Sequence, residues 1–186
     1  MELLTKASYS GEVSEREKRN LEVAYRAACE SMVLLKNEGV LPLKAKKVAL
    51  YGPGVSRTIK GGTGSGEVNE RHSVTILEGM ENRGFEVATK QWIKDYEDAY
   101  EEGEIAHKKA QRDIIKLINS KSFMEMMLKG YTPPAGRAIT EMDIADSETD
   151  TAIYVLSRQA GEGGDRKAEK GDLFITDEER VAIETC

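Results

Sequence analysis

The sequence predicts an α/β fold, a three-layer αβα sandwich around a mainly parallel sheet that is incomplete at its C-terminal end. Three observations predict it. Short apolar runs, KVALY at residues 47–51, FEVATKQ at 85–91 and TAIYVLS at 151–157, alternate with amphipathic helical stretches. Their strand–loop–helix–strand order is that of a βαβ unit, which places strands parallel through a right-handed crossover. The pattern then stops inside a helix after three strands, fewer than a typical sheet holds. A sheet continuing past residue 186 in a longer protein explains this, and a small complete domain with a short sheet is the alternative.

The elements run in order along the chain. Residues 1–13 form a leader, 14–45 a helix and connector, and 46–186 the sheet with its helices. The first helix is predicted over residues 14–36. Ser14 and Glu17 have capping-box spacing, Leu21, Ala24, Ala28, Met32 and Leu35 recur at steps of three and four, and Gly39 stops the helix. KVALY is a short buried strand closed by GPG, and the glycine-rich loop KGGTGSGEVNERHS comes next. A short helix over 73–82 ends at Gly84, and FEVATKQ is the second strand. Residues 92–130 are charged and mostly helical, with Ile114, Ile115, Leu117, Ile118, Met124, Met127 and Leu128 as an apolar face for core packing. TPPAG turns, a helix covers 143–147, and the nearly continuous apolar run TAIYVLS reads as a strand buried on both faces. Thr176 and Glu179 repeat the capping-box spacing at the start of the last helix.

Composition excludes several function classes. The 27 Lys and Arg residues against 33 Asp and Glu give a net charge of −6, without the basic patch that marks nucleic-acid binding. No apolar stretch approaches the ~20 residues of a membrane span, and the N-terminal residues lack the pattern of a signal peptide. Cys29 and Cys186 are the two cysteines, too few and too far apart for a disulfide framework or a zinc site. A reducing, cytoplasmic location fits, and neither a metal nor an organic cofactor is expected.

Two loops leave strand ends: the glycine-rich loop after KVALY and SRQAGEGGDR after TAIYVLS. In an open parallel sheet, ligands bind at the carboxyl ends of strands. If both strands share one sheet, Thr63, Ser65, Glu67, Arg158, Glu162, Asp165 and Arg166 face a common site. A nucleotide is a poor fit. Gly66 is followed by Glu67 where a phosphate-binding loop needs lysine, and Gly52-Pro53-Gly54 lacks the third glycine of a dinucleotide fingerprint. Hydroxyls, backbone donors and an acid suit an uncharged sugar. On spacing alone Glu162 is either a reactive carboxyl in a glycine frame or one more solvated charge, and both readings stay open.

Four stretches in this order resemble one known domain: AACESMVLLKNEGVLPL, KVALYGPGVSRTIKGGTGSGEVN, SVTILEGMENRGFEV and SRQAGEGGDRKAEKGDLFIT. The chain is identified by them as a member of glycoside hydrolase family 3, the β-glucosidase family, through its C-terminal-type α/β sandwich domain. Residues 92–146 carry no motif of the family and look like a variable insertion. The resemblance implies a partner (β/α)8 barrel that supplies an aspartate nucleophile, with the sandwich domain supplying the general acid/base. That glutamate aligns with Glu162 in S-R-x-x-G-E-G-x-D-R, every fixed position of which is present from Ser157 to Arg166. Ser65, with Thr63 and Gly64 beside it, is implied to hold the sugar in the −1 subsite. Arg158, Asp165 and Arg166 are implied to support the loop. The implied function is one part of a retaining, exo-acting β-glycosidase acting on β-glucosides or related oligosaccharides. A barrel needs ~250 residues, so none fits in this chain, and the 186 residues alone are expected to be inactive. Some family members carry the sandwich domain ahead of the barrel, and the KGGTGSGEVN loop resembles theirs. A sugar-binding or scaffolding module without catalysis is the alternative.

Overall fold

A computed structural model of the chain describes residues 11–62, 71–115, 131–159 and 166–186. The predicted apolar positions Leu117, Ile118, Met124, Met127 and Leu128 lie outside these residues. The chain divides into two compact units, Met1–Lys44 and Ala45–Cys186.

The first unit holds helix α1, Glu15–Ser31, opened by the predicted capping box. The Ser14 amide donates to the Glu17 carboxylate at 2.7 Å, and the Glu17 amide donates to Ser14 Oγ at 3.3 Å. The helix ends at Ser31, short of the predicted residue 36, because Met32 is already extended. Gly39 therefore does not stop the helix. Its left-handed φ of 93° belongs to a separate turn, in which Asn37 Oδ1 accepts from the Gly39 and Leu41 amides. An asparagine side chain closing such a turn competes with helical hydrogen bonding.

The second unit is built on a parallel sheet of three strands among the described residues, in the order β2-β1-β3. Strand β1 is Lys47–Tyr51, β2 is Glu86–Val87 and β3 is Ala152–Tyr154. Helix α2, Ile76–Asn82, packs against β2. Helices α3, Lys90–Ile115, and α4, Glu141–Ser147, pack against β1, and α5, Asp177–Thr185, closes the chain. This is the expected α/β class. Val48, Ala49, Leu50 and Tyr51 are almost wholly buried, as befits a central parallel strand, and Val55, Val87, Trp92, Ile93, Tyr96 and Ile139 complete the core.

Two strand expectations change. FEVATKQ gives only a two-residue strand, since α3 already begins at Lys90. Thr89 explains how the sheet tolerates this. Its hydroxyl accepts from the Leu50 amide at 2.9 Å and donates to the Leu50 carbonyl at 2.7 Å, doing for β1 what another strand residue would do. The second change is in β3, which is half-buried rather than buried on both faces. Among the described strands it pairs on one side only, with β1, so no described strand covers its other edge. No described helix is long and apolar enough to cross a membrane.

Candidate active site

The expected site depends on two strand ends lying side by side, and β1 and β3 meet that requirement. They pair in parallel with Ala49 opposite Ala152, Leu50 opposite Ile153 and Tyr51 opposite Tyr154. The chain leaves both strands at the same sheet edge. After β1 it turns at Gly52, with φ at 95°, and the Gly54 amide donates to the Val155 carbonyl at 3.2 Å. A Cβ on Gly52 would lie 2.6 Å from the Val155 carbonyl oxygen, and one on Gly54 2.6 Å from Val155 Cγ1. These two glycines serve the approach of the neighbouring strand, not of a ligand.

The glycine-rich loop starts from fixed points. Thr58 Oγ1 donates to the Gly54 carbonyl at 2.7 Å and accepts from the Ile76 amide at 2.9 Å, joining the turn after β1 to the first residue of α2. Arg57 reaches α3, where Nε donates to Glu97 at 3.1 Å and the guanidinium lies 4.3 Å from the centre of the Tyr100 ring. Gln159, two residues past Ser157, donates from Nε2 to the Gly61 carbonyl at 3.3 Å. That bond links the described ends of the two loops directly.

Of the residues singled out from sequence, Arg158 and Arg166 are described. Thr63, Gly64, Ser65, Glu67, Glu162 and Asp165 lie outside the described residues. Arg158 donates from Nη1 and Nη2 to the two carboxylate oxygens of Glu179, at 2.6 and 2.5 Å. Its Nε donates to the Asp172 carbonyl at 3.0 Å, and Nη1 also donates to the Ser157 carbonyl at 2.9 Å. Glu179 is 5% exposed. Such a bidentate pair is strong and directional. The Arg158 guanidinium beside it holds the Glu179 carboxyl below its ordinary pKa against the opposing effect of burial, with a further contribution from the Thr176 amide. Arg158 is in turn held above its ordinary value, first by its bonds to Glu179.

Arg166 converges on the same place. Its Nη2 donates to the Asp172 carbonyl at 2.9 Å and its Nε pairs with the Asp172 carboxylate. The Lys167 amide donates to Asp172 Oδ2 at 2.7 Å. Asp172 thus receives both arginines on its carbonyl, and Arg166 and the Lys167 amide on its side chain. Residues 170–177 fold back through Lys170, whose Nζ lies 2.6 Å from the Asp177 carboxylate, into the capping box of α5.

Asp172, Glu179 and Gln159 were not singled out as site residues by sequence. Glu179 is legible as a helix-capping residue, and the Thr176 amide does donate to its Oε2 at 2.8 Å. Its second task, holding Arg158 from 21 positions away, leaves no local signature. An apolar cavity of about 320 Å³, lined by Trp92, Gly136, Ile139, Tyr154 and Val181 among others, contains none of the residues singled out for the site. Among the described residues, no three of His, Cys, Asp and Glu come together as a metal site.

Known proteins share this fold. The description "Glycosyl hydrolase family 3 C-terminal domain" matches residues 32–183. Beta-glucosidase A of Butyrivibrio fibrisolvens is 33% identical over 181 residues, which are 94% of this chain and 19% of that protein. The structure of beta-glucosidase 3B from Thermotoga neapolitana in complex with α-D-glucose superposes with a TM-score of 0.67 at 34% identity, covering 92% of this chain and 22% of that one. A beta-glucosidase from Paenibacillus barengoltzii superposes with a TM-score of 0.64 at 28% identity, covering 88% of this chain and 17% of its own. The chain therefore spans about a fifth of the length of these relatives. With the domain description covering most of its residues, the chain belongs to glycosyl hydrolase family 3.

Proposed function

We propose that this chain supplies the general acid/base, Glu162, and part of the sugar subsite, Ser65 with Thr63 and Gly64, to a retaining exo-acting β-glycosidase, a β-glucosidase. A (β/α)8 barrel contributes the aspartate nucleophile. The observation that carries the reading is the bond from Gln159 to the Gly61 carbonyl across the paired ends of β1 and β3. The loops bearing Ser65 and Glu162 start from adjoining backbone at the edge where parallel sheets bind ligands. The family's relatives named beta-glucosidase, one of them in complex with α-D-glucose, support the substrate class.

The chemistry needs two carboxyls about 5–5.5 Å apart. The barrel aspartate attacks the anomeric carbon while the Glu162 carboxyl gives its proton to the departing glycosidic oxygen. The Glu162 carboxylate then takes a proton from water as that water attacks the anomeric carbon and releases the aspartate. Glu162 must start protonated near neutral pH, a state that the negative charge of a nearby nucleophile favours. Without the barrel the 186 residues lack the nucleophile and do not turn over. Glu162→Ala in the complete protein tests the reading. Proton transfer by a positioned side chain contributes about 10²- to 10⁴-fold, so kcat/KM on an unactivated β-linked disaccharide falls by that order. An aryl glycoside with an acidic leaving group, which needs no proton, loses far less. Undiminished cleavage of the disaccharide contradicts the assignment.

A further inference from the structure

We propose that Glu179 and Asp172 are positioning residues for proton transfer: they fasten Arg158 and Arg166, on either side of residues 160–165, to one peptide carbonyl and balance the charge of both arginines. The inference rests on the reading of Glu162 as the acid/base and adds two residues that lie outside the motif carrying it. Arg158 and Arg166 are each four positions from Glu162. Both donate to the Asp172 carbonyl, at 3.0 and 2.9 Å, so the two feet of the intervening segment are brought to a single atom. Four residues of chain span at most about 14 Å, and Glu162 can lie no farther than that from either foot. Holding Arg158 and Arg166 on one acceptor fixes the separation of the two residues that flank the motif's glutamate.

The charge argument is independent of the mechanical one. Two guanidinium groups this close in sequence to a carboxyl would favour its ionised form, whereas an acid catalyst must hold its proton. Each arginine has its own counter-ion instead. Glu179, 5% exposed, takes Arg158 through both oxygens, and the Asp172 carboxylate takes Arg166. The two arginines that flank residues 160–165 thus already have their charge balanced. Glu179 is itself fixed by the capping box of α5, because the Thr176 amide donates to its Oε2. The start of α5 is thus coupled to the loop after β3.

The test uses the complete barrel-containing protein and two substrates, an unactivated β-linked disaccharide and an aryl glycoside with a strongly acidic leaving group. Glu179→Gln keeps the size of the side chain and one acceptor oxygen, removes the charge, and turns an amide donor toward Arg158. It is expected to lower kcat/KM on the disaccharide by about 10-fold or more, and on the aryl glycoside by less than about threefold. Asp172→Asn leaves the Arg158–Glu179 pair and the α5 cap in place and is expected to show the same split, which keeps the test decisive if Glu179→Gln fails to fold. Equal losses on both substrates, no loss on either, or a larger loss on the aryl glycoside overturns the proposal. Glu162→Ala run alongside separates the two claims. If it spares the disaccharide, the acid/base reading itself fails. If it abolishes disaccharide cleavage while neither clamp variant shows the split, only the positioning role fails.

Discussion

Thr89 carries the junction at which β2 gives way to α3. Its hydroxyl takes both the amide and the carbonyl of Leu50, in the buried centre of β1. Thr89→Val removes both partners without changing side-chain shape, and each buried group left unpaired costs about 1–3 kcal/mol. The expected result is a lower urea midpoint, equivalent to a loss of about 2 kcal/mol or more, with Thr89→Ser close to wild type. A valine variant as stable as the parent would mean that the Leu50 groups find other partners. The same residue marks a limit of reading sequence. FEVATKQ has strand composition, and nothing local says that a threonine side chain replaces the third rung of a ladder. Glu179 is similar. Its place three residues after Thr176 is legible as a cap, whereas its grip on Arg158 exists only after folding brings the two together.

At the scale of elements, the turn between β1 and the glycine-rich loop is the most constrained piece. Gly52 combines a φ of 95° with a position where a Cβ would meet the Val155 carbonyl oxygen at 2.6 Å. Gly52→Ala therefore adds backbone strain to a backbone collision, and is expected to cost about 2–4 kcal/mol by denaturant melts. Wild-type stability in that variant would contradict the β1–β3 register. Helices were the more legible elements, because caps and periodicity are local: α5 and its Thr176–Glu179 box, and the α1 box at Ser14, fall where the spacing puts them. Ends were less legible. α1 stops at Ser31 although apolar residues continue to Leu35, and the Asn37 turn, not Gly39 alone, organises residues 37–41. The burial of β3 was overestimated because an apolar run does not reveal whether a strand has neighbours on both sides.

For the molecule as a whole, Tyr51, which is buried, and Tyr154, which is half-buried, set an alkaline limit. Burial pushes the pKa of Tyr51 and of Tyr154 up to about 12, and Asp143 adds to the effect at Tyr51 and Glu179 at Tyr154. In the unfolded chain both titrate near 10. The folded state thus holds protons that the unfolded state has lost, so the stability they contribute is full below pH ~10 and is lost as pH rises toward about 12. Urea midpoints measured across that window should fall, and Tyr154→Phe should flatten the fall. An unchanged slope in that variant would show that Tyr154 ionises as freely folded as unfolded. The fold is compatible with the proposed sugar site: β1 and β3 pair in parallel, and Gln159 joins the bases of the two loops that carry Ser65 and Glu162. The central claim is that Glu162 transfers the proton in a retaining hydrolysis, and azide tests it most directly. In the Glu162→Ala variant of the complete protein, azide can occupy the space of the missing carboxylate and attack the glycosyl-enzyme without a general base. Turnover of an activated aryl β-glucoside should rise with azide concentration, and the product should be the β-glycosyl azide, with anomeric configuration retained. No azide product, or the α-glycosyl azide, would contradict the role given to Glu162.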